Sequence, residues 1–193
     1  MTDVIPKSYP EIESFDELEI PEDLLRGIYA YGYETPSVIQ KRAIVPILKG
    51  RNLIAQSQSG TGKTACFLIG AMARVDKDCN EPQVLIICPN RELANQIYYN
   101  FNSFNTYMKL TGTLLMGGTS VEDNFKALDS GVQVIIGTPG RVFDMLRRYA
   151  LKTNKMKCFL MDEADEMLSK GFKEQVYDIF QYIPKGVQIC AFS

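Results

Sequence analysis

Five short runs in this chain are almost wholly apolar: 53–55, 84–88, 134–136, 158–161 and 187–192. Runs of that kind suit strands buried on both faces of a parallel sheet, whereas a strand with one wet face would alternate. Between them lie stretches with helical spacing at about 63–74, 91–107, 121–128, 140–149 and 172–182, and a further short strand is expected near 113–116. This alternation predicts an α/β domain: a doubly wound parallel sheet with helices on both faces. Such sheets collect ligands at the carboxyl ends of their strands. The residues that follow each apolar run are therefore the ones to read for chemistry.

The segment upstream of the first strand reads differently. Residues 1–14 carry charges and proline with little periodicity, and are expected to form a loose arm. Phe15 is an isolated aromatic among acidic residues. Pro21 followed by Glu22 and Asp23 marks a helix start, with Leu24, Leu25, Ile28 and Tyr31 as its apolar stripe and Gly32 as its end. Ser37 is a candidate N-cap for a second helix with the stripe Val38, Ile39, Ala43 and Ile44. Pro46 is expected to kink or break that helix, and Lys49-Gly50 closes the segment. At the other end, the strand over 187–192 stops abruptly at Ser193, which is expected of a domain cut from a longer chain.

With 193 residues, 46% of them hydrophobic, there is material for one domain with a sizeable core. The net charge of −2 supplies no overall positive field, so any nucleic-acid site has to be a local patch. Histidine is absent, which removes His-based triads, His metal ligands and imidazole acid–base chemistry. The five cysteines form no Cys-x-x-Cys pair, and three lie in apolar runs, as buried free thiols do in a reducing compartment. No apolar run approaches the length of a membrane span and the start lacks a signal-peptide pattern, so a soluble intracellular protein is expected.

Asn52 to Thr64 joins a short strand to a helix start through a loop of small residues: Ser57, Gln58, Ser59, Gly60, Thr61 and Gly62. Few side chains stand in the way there, so backbone N–H groups can wrap an anion. Lys63 adds a point charge for outer phosphates, Thr64 puts a hydroxyl where Mg²⁺ would sit, and the helix N-terminus aims its dipole at the same place. Ser57 stands where the general phosphate-loop pattern has its first glycine. After the strand 158–161 come Asp162 and Glu163. Asp162 suits a Mg²⁺ held largely through water, and Glu163 suits a group that orients or deprotonates an attacking water. Alternatively, two acids at a helix N-terminus simply complement the dipole.

With Gly32-Tyr33, Pro36, Ile39 and Gln40 upstream, these elements resemble the DEAD-box RNA helicases, whose name is spelled by Asp162-Glu163-Ala164-Asp165. The resemblance runs from about residue 15 to 193. It implies a helical Q-motif segment at 15–50 and the first of two RecA-like domains at 51–193, with the second domain absent. It implies that Gln40 reads the adenine edge, that Tyr33 stacks on the base and that Phe15 is the motif's lone upstream aromatic. Without the family, Gln40 is a polar residue on an amphipathic helix and Tyr33 is core. Pro89-Asn90-Arg91 resembles the family's Pro-Thr-Arg element, with Asn90 in place of the usual Thr. Gly117-Gly118 and Thr138-Pro139-Gly140-Arg141 match two more elements. All three are implied to hold the RNA sugar–phosphate chain without reading bases, although a lone Gly-Gly or Thr-Pro-Gly is a turn in most proteins. Asp165 and Ser193 are implied to couple nucleotide to RNA.

The branch that is most similar is the eukaryotic initiation factor 4A group. That implies ATP and Mg²⁺ as cofactors, RNA as partner, a scaffold protein of the initiation factor 4G type, a monomer, no membrane and the cytoplasm. The related clamp subunit of the exon junction complex implies the nucleus instead. A phosphate-loop ATPase translocating on DNA is a third possibility, against which Gln40 argues. A single domain of this family is expected to hydrolyse ATP poorly or not at all, because the second domain supplies arginine fingers.

Overall fold

The computed structural model describes residues 9–169 and 171–193. Its centre is a parallel sheet of six strands: β1 (Leu53–Ala55), β2 (Val84–Ile87), β3 (Gly112–Leu115), β4 (Val134–Gly137), β5 (Cys158–Met161) and β6 (Gln188–Phe192), in the order β1-β6-β5-β2-β4-β3. Every adjacent pair is parallel. β2, β4 and β5 are buried at every residue, which is why they read as unbroken apolar runs. Successive side chains point to opposite faces. Thus Val84, Ile86, Val134, Ile136, Cys158 and Leu160 enter one core, and Leu85, Ile87, Ile135, Phe159 and Met161 enter the other.

The first core is covered by α1 (Glu22–Tyr31), α2 (Val38–Leu48), α3 (Lys63–Met72) and α4 (Arg91–Phe104). The second is covered by α5 (Val121–Asp129), α6 (Pro139–Arg147), α7 (Ala164–Ser169) and α8 (Lys173–Tyr182). The expected doubly wound architecture is therefore present. Most element ends fall within a residue or two of those expected, as fraying termini do. Four of the cysteines are buried and all five are free thiols.

Two features differ from the expectation. The helix α2 does not break at Pro46 but runs through it to Leu48. Pro46 lies in the last turn, is buried, and sits on a helix pinned by Ile44 and Ile47 against α3, so packing outweighs one missing donor. Residues 1–8 of the expected arm lie outside the described residues; in the rest of it Ile12 is buried and its N–H donates to the Lys41 carbonyl. From Ser14, which caps a 3₁₀ turn at Phe15–Glu17, the chain is fully part of the domain.

The segment upstream of β1 packs on the sheet domain where α1 meets α4. Gly27 of α1 is buried, and a Cβ at that position would overlap the backbone carbonyl of Phe104 on α4. Gly32 ends α1 in the left-handed conformation, at φ 102°, which turns the chain toward α2. The close α1–α4 approach fixes where Tyr31 and Tyr33 emerge. Replacing Gly27 with Ala is expected to destabilise the domain by about 1–3 kcal/mol through overpacking against backbone. A thermal melt should show the loss as a fall of about 2–4 °C per kcal/mol for a domain of this size.

Candidate functional site

The strand order splits the carboxyl edge of the sheet into two halves. β1, β6 and β5 end in the phosphate loop, Ser193 and Asp162; β2, β3 and β4 end in Pro89-Asn90-Arg91, Gly117-Gly118 and Thr138–Arg141.

In the first half, four loop carbonyls accept side-chain hydrogen bonds. Ser37 Oγ donates to the Thr61 carbonyl at 2.7 Å, and Gln40 Nε2 donates to the Gly62 carbonyl at 3.1 Å. Lys63 Nζ donates to the Ser57 carbonyl at 3.0 Å, and Thr61 Oγ1 to that of Gln58 at 2.7 Å. Ser57 Oγ lies 2.6 Å from Thr61 Oγ1, so the hydroxyls of the loop brace each other. Gly62, at φ 92°, lets the chain turn into α3, whose first-turn N–H groups have no acceptor within the helix.

Facing the loop stand Asp162 and Glu163. Asp162 is buried, at 3% exposure, and the Glu163 N–H donates to its Oδ1 at 3.1 Å. Burial pushes the Asp162 carboxyl up to about 6, the Glu163 charge adds to the rise, and Lys63 opposes it. Glu163 holds a left-handed backbone at φ 52°, a conformation a non-glycine residue keeps only when its surroundings force it. Its Oε1 lies 3.7 Å from Lys63 Nζ. Cys88 sits close enough to Asp162 for that charge to matter, but burial pushes its thiol up to about 12, so it offers no thiolate.

A cleft of about 280 Å³ joins these groups. It is lined by Ser59, Gly60, Gly62, Lys63, Thr64, Asp162 and Glu163 on one side and by Tyr31, Tyr33, Gln96 and Asn100 on the other. Tyr31 and Tyr33 are stacked, 5.4 Å apart between ring centroids, and Tyr31 OH donates to Asn100 Oδ1 at 3.0 Å. Two expected nucleotide contacts stand differently. Phe15 is fully buried and meets Tyr33 edge-on at 6.4 Å, so it props the aromatic wall from behind and does not line the cleft. Gln40 is fully buried as well; its Oε1 accepts the Ser37 N–H at 2.9 Å while its Nε2 holds Gly62. Ser57, Gln58 and Thr61 shape the loop without lining the cleft.

Ser193 ties the phosphate loop to the acidic segment. Its carbonyl accepts the Ser57 N–H at 3.0 Å, its N–H donates to Ala55, and its Oγ accepts the Asp165 N–H at 3.4 Å. This follows from the order of the sheet, which sets β6 between β1 and β5.

In the second half, a groove of about 560 Å³ gathers Pro89, Asn90, Arg91, Gly117, Thr138, Gly140 and Arg141 from three strand ends. Asn90 caps α4, its Oδ1 accepting the Leu93 N–H at 2.9 Å. The Arg91 guanidinium lies so close over Gly118 that a Cβ there would overlap it. Arg141 Nη1 donates to Asn124 Oδ1 at 2.5 Å, and Nη2 to the Thr119 carbonyl at 3.1 Å. Two cations and the N-termini of α4 and α6 therefore face one groove in a chain of net negative charge, the local patch that composition required. The groove has a further wall in Phe172 and Gln175 of the α8 region, and the cleft has Gln96 and Asn100 of α4. Phe172 and Gln175 fall in a stretch, Gly171–Gln175, that carries the resemblance, but none of the four is a site residue in the sequence reading. The one available signal was helical spacing, since Leu93, Gln96 and Asn100 recur on one face of α4.

The family model for DEAD/DEAH box helicase matches residues 37–193. The chain is 52% identical over 190 residues to the ATP-dependent RNA helicase eIF4A of Pyricularia oryzae, covering 98% of this chain and 48% of that protein. To its counterpart in Scheffersomyces stipitis it is 51% identical over 193 residues, covering 100% and 49%. The chain thus spans about half the length of the curated relatives it matches. Among solved structures, a DEAD box protein from Methanococcus jannaschii superposes with a TM-score of 0.90 at 35% identity, covering 95% of this chain and 50% of that one. The Saccharomyces cerevisiae protein Dbp5 bound to RNA and ADP BeF3 gives 0.87 at 40%, covering 94% and 46%.

The Asp162 carboxyl has a measurable consequence in metal-free buffer. Its folded pKa of about 6 lies above the ordinary aspartate value of 3.8, so the group stabilises the fold fully below the lower value. That stability is lost as pH rises through about 6. In EDTA, Asp162→Asn is expected to raise stability at pH 7.5 by roughly 2–3 kcal/mol. Denaturant titrations across pH should find the gain gone near pH 4.

Proposed function

This chain belongs to the DEAD/DEAH box helicase family, and we propose that it is the ATP-binding half of an RNA helicase of the initiation factor 4A type. The whole protein hydrolyses ATP to ADP and phosphate and locally separates RNA duplexes during translation initiation. The observation that carries this reading is the two-part edge of the sheet: a phosphate loop facing Asp162 and Glu163, beside a cationic groove built from three separate strand ends. The names of the relatives favour translation initiation over a clamp of the exon junction type. A cytoplasmic location and a scaffold partner of the initiation factor 4G type belong to the same reading.

The loop and the α3 N-terminus bind the phosphates, and Lys63, held at the Ser57 carbonyl, carries its charge toward them. Tyr33, backed by Phe15 and stacked on Tyr31, offers its face to the base. Gln40 acts on the nucleotide through the loop it holds. Thr64 and Asp162 suit Mg²⁺. When bound, the ion neutralises charge between the outer phosphates.

Glu163 is oriented by its own strained backbone and by Lys63, in reach of the cleft and only half-buried. It accepts the proton of an attacking water or orients that water. RNA is gripped by its phosphates, through Arg91, Arg141 and the helix N-termini, so recognition is independent of base sequence.

The decisive test is RNA-dependent ATPase of the two-domain protein with and without Glu163→Gln. Turnover is expected to fall by about 10²–10⁴-fold while ATP and RNA binding are retained. Unchanged turnover would remove Glu163 from the mechanism, and equal stimulation by DNA and RNA would point to a DNA translocase. This chain alone is expected to turn over ATP far more slowly than the two-domain protein, since an arginine supplied from outside is worth about 10³–10⁵ in related phosphoryl transfers.

A further inference from the structure

The aromatic wall of the nucleotide cleft is held in place by a helix outside the segment that supplies it. Tyr31 ends α1, Gly32 turns the chain in the left-handed conformation, and Tyr33 follows. The two rings stack across that turn, 5.4 Å apart and 17° from parallel. A turn alone does not fix the tilt of such a pair, because each tyrosine keeps its own χ rotations. The helix α4 fixes it at two residues, four apart and so on one face. Asn100 Oδ1 accepts the Tyr31 hydroxyl at 3.0 Å, and Phe104 meets the Tyr31 ring edge-on at 5.2 Å. Phe104 also touches the Tyr33 ring, at 5.9 Å.

The two contacts differ in kind. Phe104 is fully buried and belongs to the core. The hydrogen bond to Asn100 is exposed, with Tyr31 at 39% exposure, so it competes with water and adds little to the stability of the fold. Both of its residues line the nucleotide cleft. A ligand that enters the cleft excludes water, and the bond then gains strength. Without the bond Tyr31 is free to change rotamer, and a base arriving against the pair has to order the rings as it binds.

We propose that Asn100 is a positioning residue for base binding: it holds Tyr31 by its hydroxyl at the angle that presents Tyr33 to the base. The inference rests on the reading of this cleft as the ATP site. Affinity for the base then depends on a side chain of α4, whereas affinity for the phosphates does not.

The test is a double-mutant cycle on this chain with two ligands, ATP and inorganic tripolyphosphate, each with Mg²⁺. Tripolyphosphate offers phosphates without a base. Dissociation constants are read by NMR titration, which reaches weak affinities. Tyr31→Phe keeps the ring and removes the donor. Asn100→Ala removes the acceptor at a helix position where alanine is the better helix former. Each is expected to weaken ATP binding by about 2–10-fold, the worth of one neutral hydrogen bond. The double variant should lose no more than either alone, because the two changes break one bond. Tripolyphosphate affinity should be the same in all four proteins. A loss for tripolyphosphate equal to that for ATP, in Tyr31→Phe as well as in Asn100→Ala, would reveal a general effect on the fold and overturn the inference. Full ATP affinity in Tyr31→Phe beside a loss in Asn100→Ala would overturn it in favour of a direct contact from the Asn100 amide, as would losses that add. Undiminished ATP affinity in every variant would overturn the inference and leave the ATP site standing. An unaltered chain that binds neither ligand would overturn the ATP site and this inference with it.

Discussion

A phosphate loop works only if its carbonyl oxygens face away from the anion. Here that condition is met by side chains from outside the loop as well as within it. Ser37 and Gln40 reach over from the Q-motif segment to hold Thr61 and Gly62, while Lys63 and Thr61 hold Ser57 and Gln58. Four carbonyls are thereby occupied by protein donors, and the N–H groups at the start of α3 keep no acceptor within the helix. The upstream helices are thus part of the anion site, although neither Ser37 nor Gln40 lines the cleft. It also explains why Gly27 has to let α1 lie against α4: the same segment positions both the aromatic wall and the clamp on the loop.

The fold was largely legible because the sheet is buried on both sides. Central strands with no wet face leave an apolar signature that is hard to mistake, and β2, β4 and β5 carry it at every residue. The features that escaped are those with too few residues to show a period, or with competing signals. The six-residue α7 and the 3₁₀ turn at Phe15 are shorter than two helical turns. Pro46 obeys a local rule that the packing of α2 on α3 overrides. Ile12 is a lone apolar residue in a charged stretch, and nothing nearby marks it as buried.

At the site, legibility followed the backbone. Each element placed after a strand by sequence arrived where the sheet puts strand ends, so the loop, Asp162, Asn90, Gly117 and Thr138 assembled as expected. What could not be read was the depth of individual side chains. Phe15 and Gln40 resemble residues that touch a nucleotide, yet both are fully buried, because the aromatic cluster and the loop carbonyls take them first. Walls supplied by the flank of a helix, such as Gln96 and Gln175, carry no local motif: their role comes from the angle at which the helix crosses the sheet.

The helix α4 borders both sites. Its capped start lies in the cationic groove, at Asn90 and Arg91, and two to three turns along it Gln96 and Asn100 border the nucleotide cleft. A helix of this length is stiff, so ligands at the two candidate sites would bear on one lever. A tilt that tightens one grip necessarily re-aims the other. Whatever factor one ligand contributes to the affinity of its neighbour through this lever, the neighbour returns in equal measure.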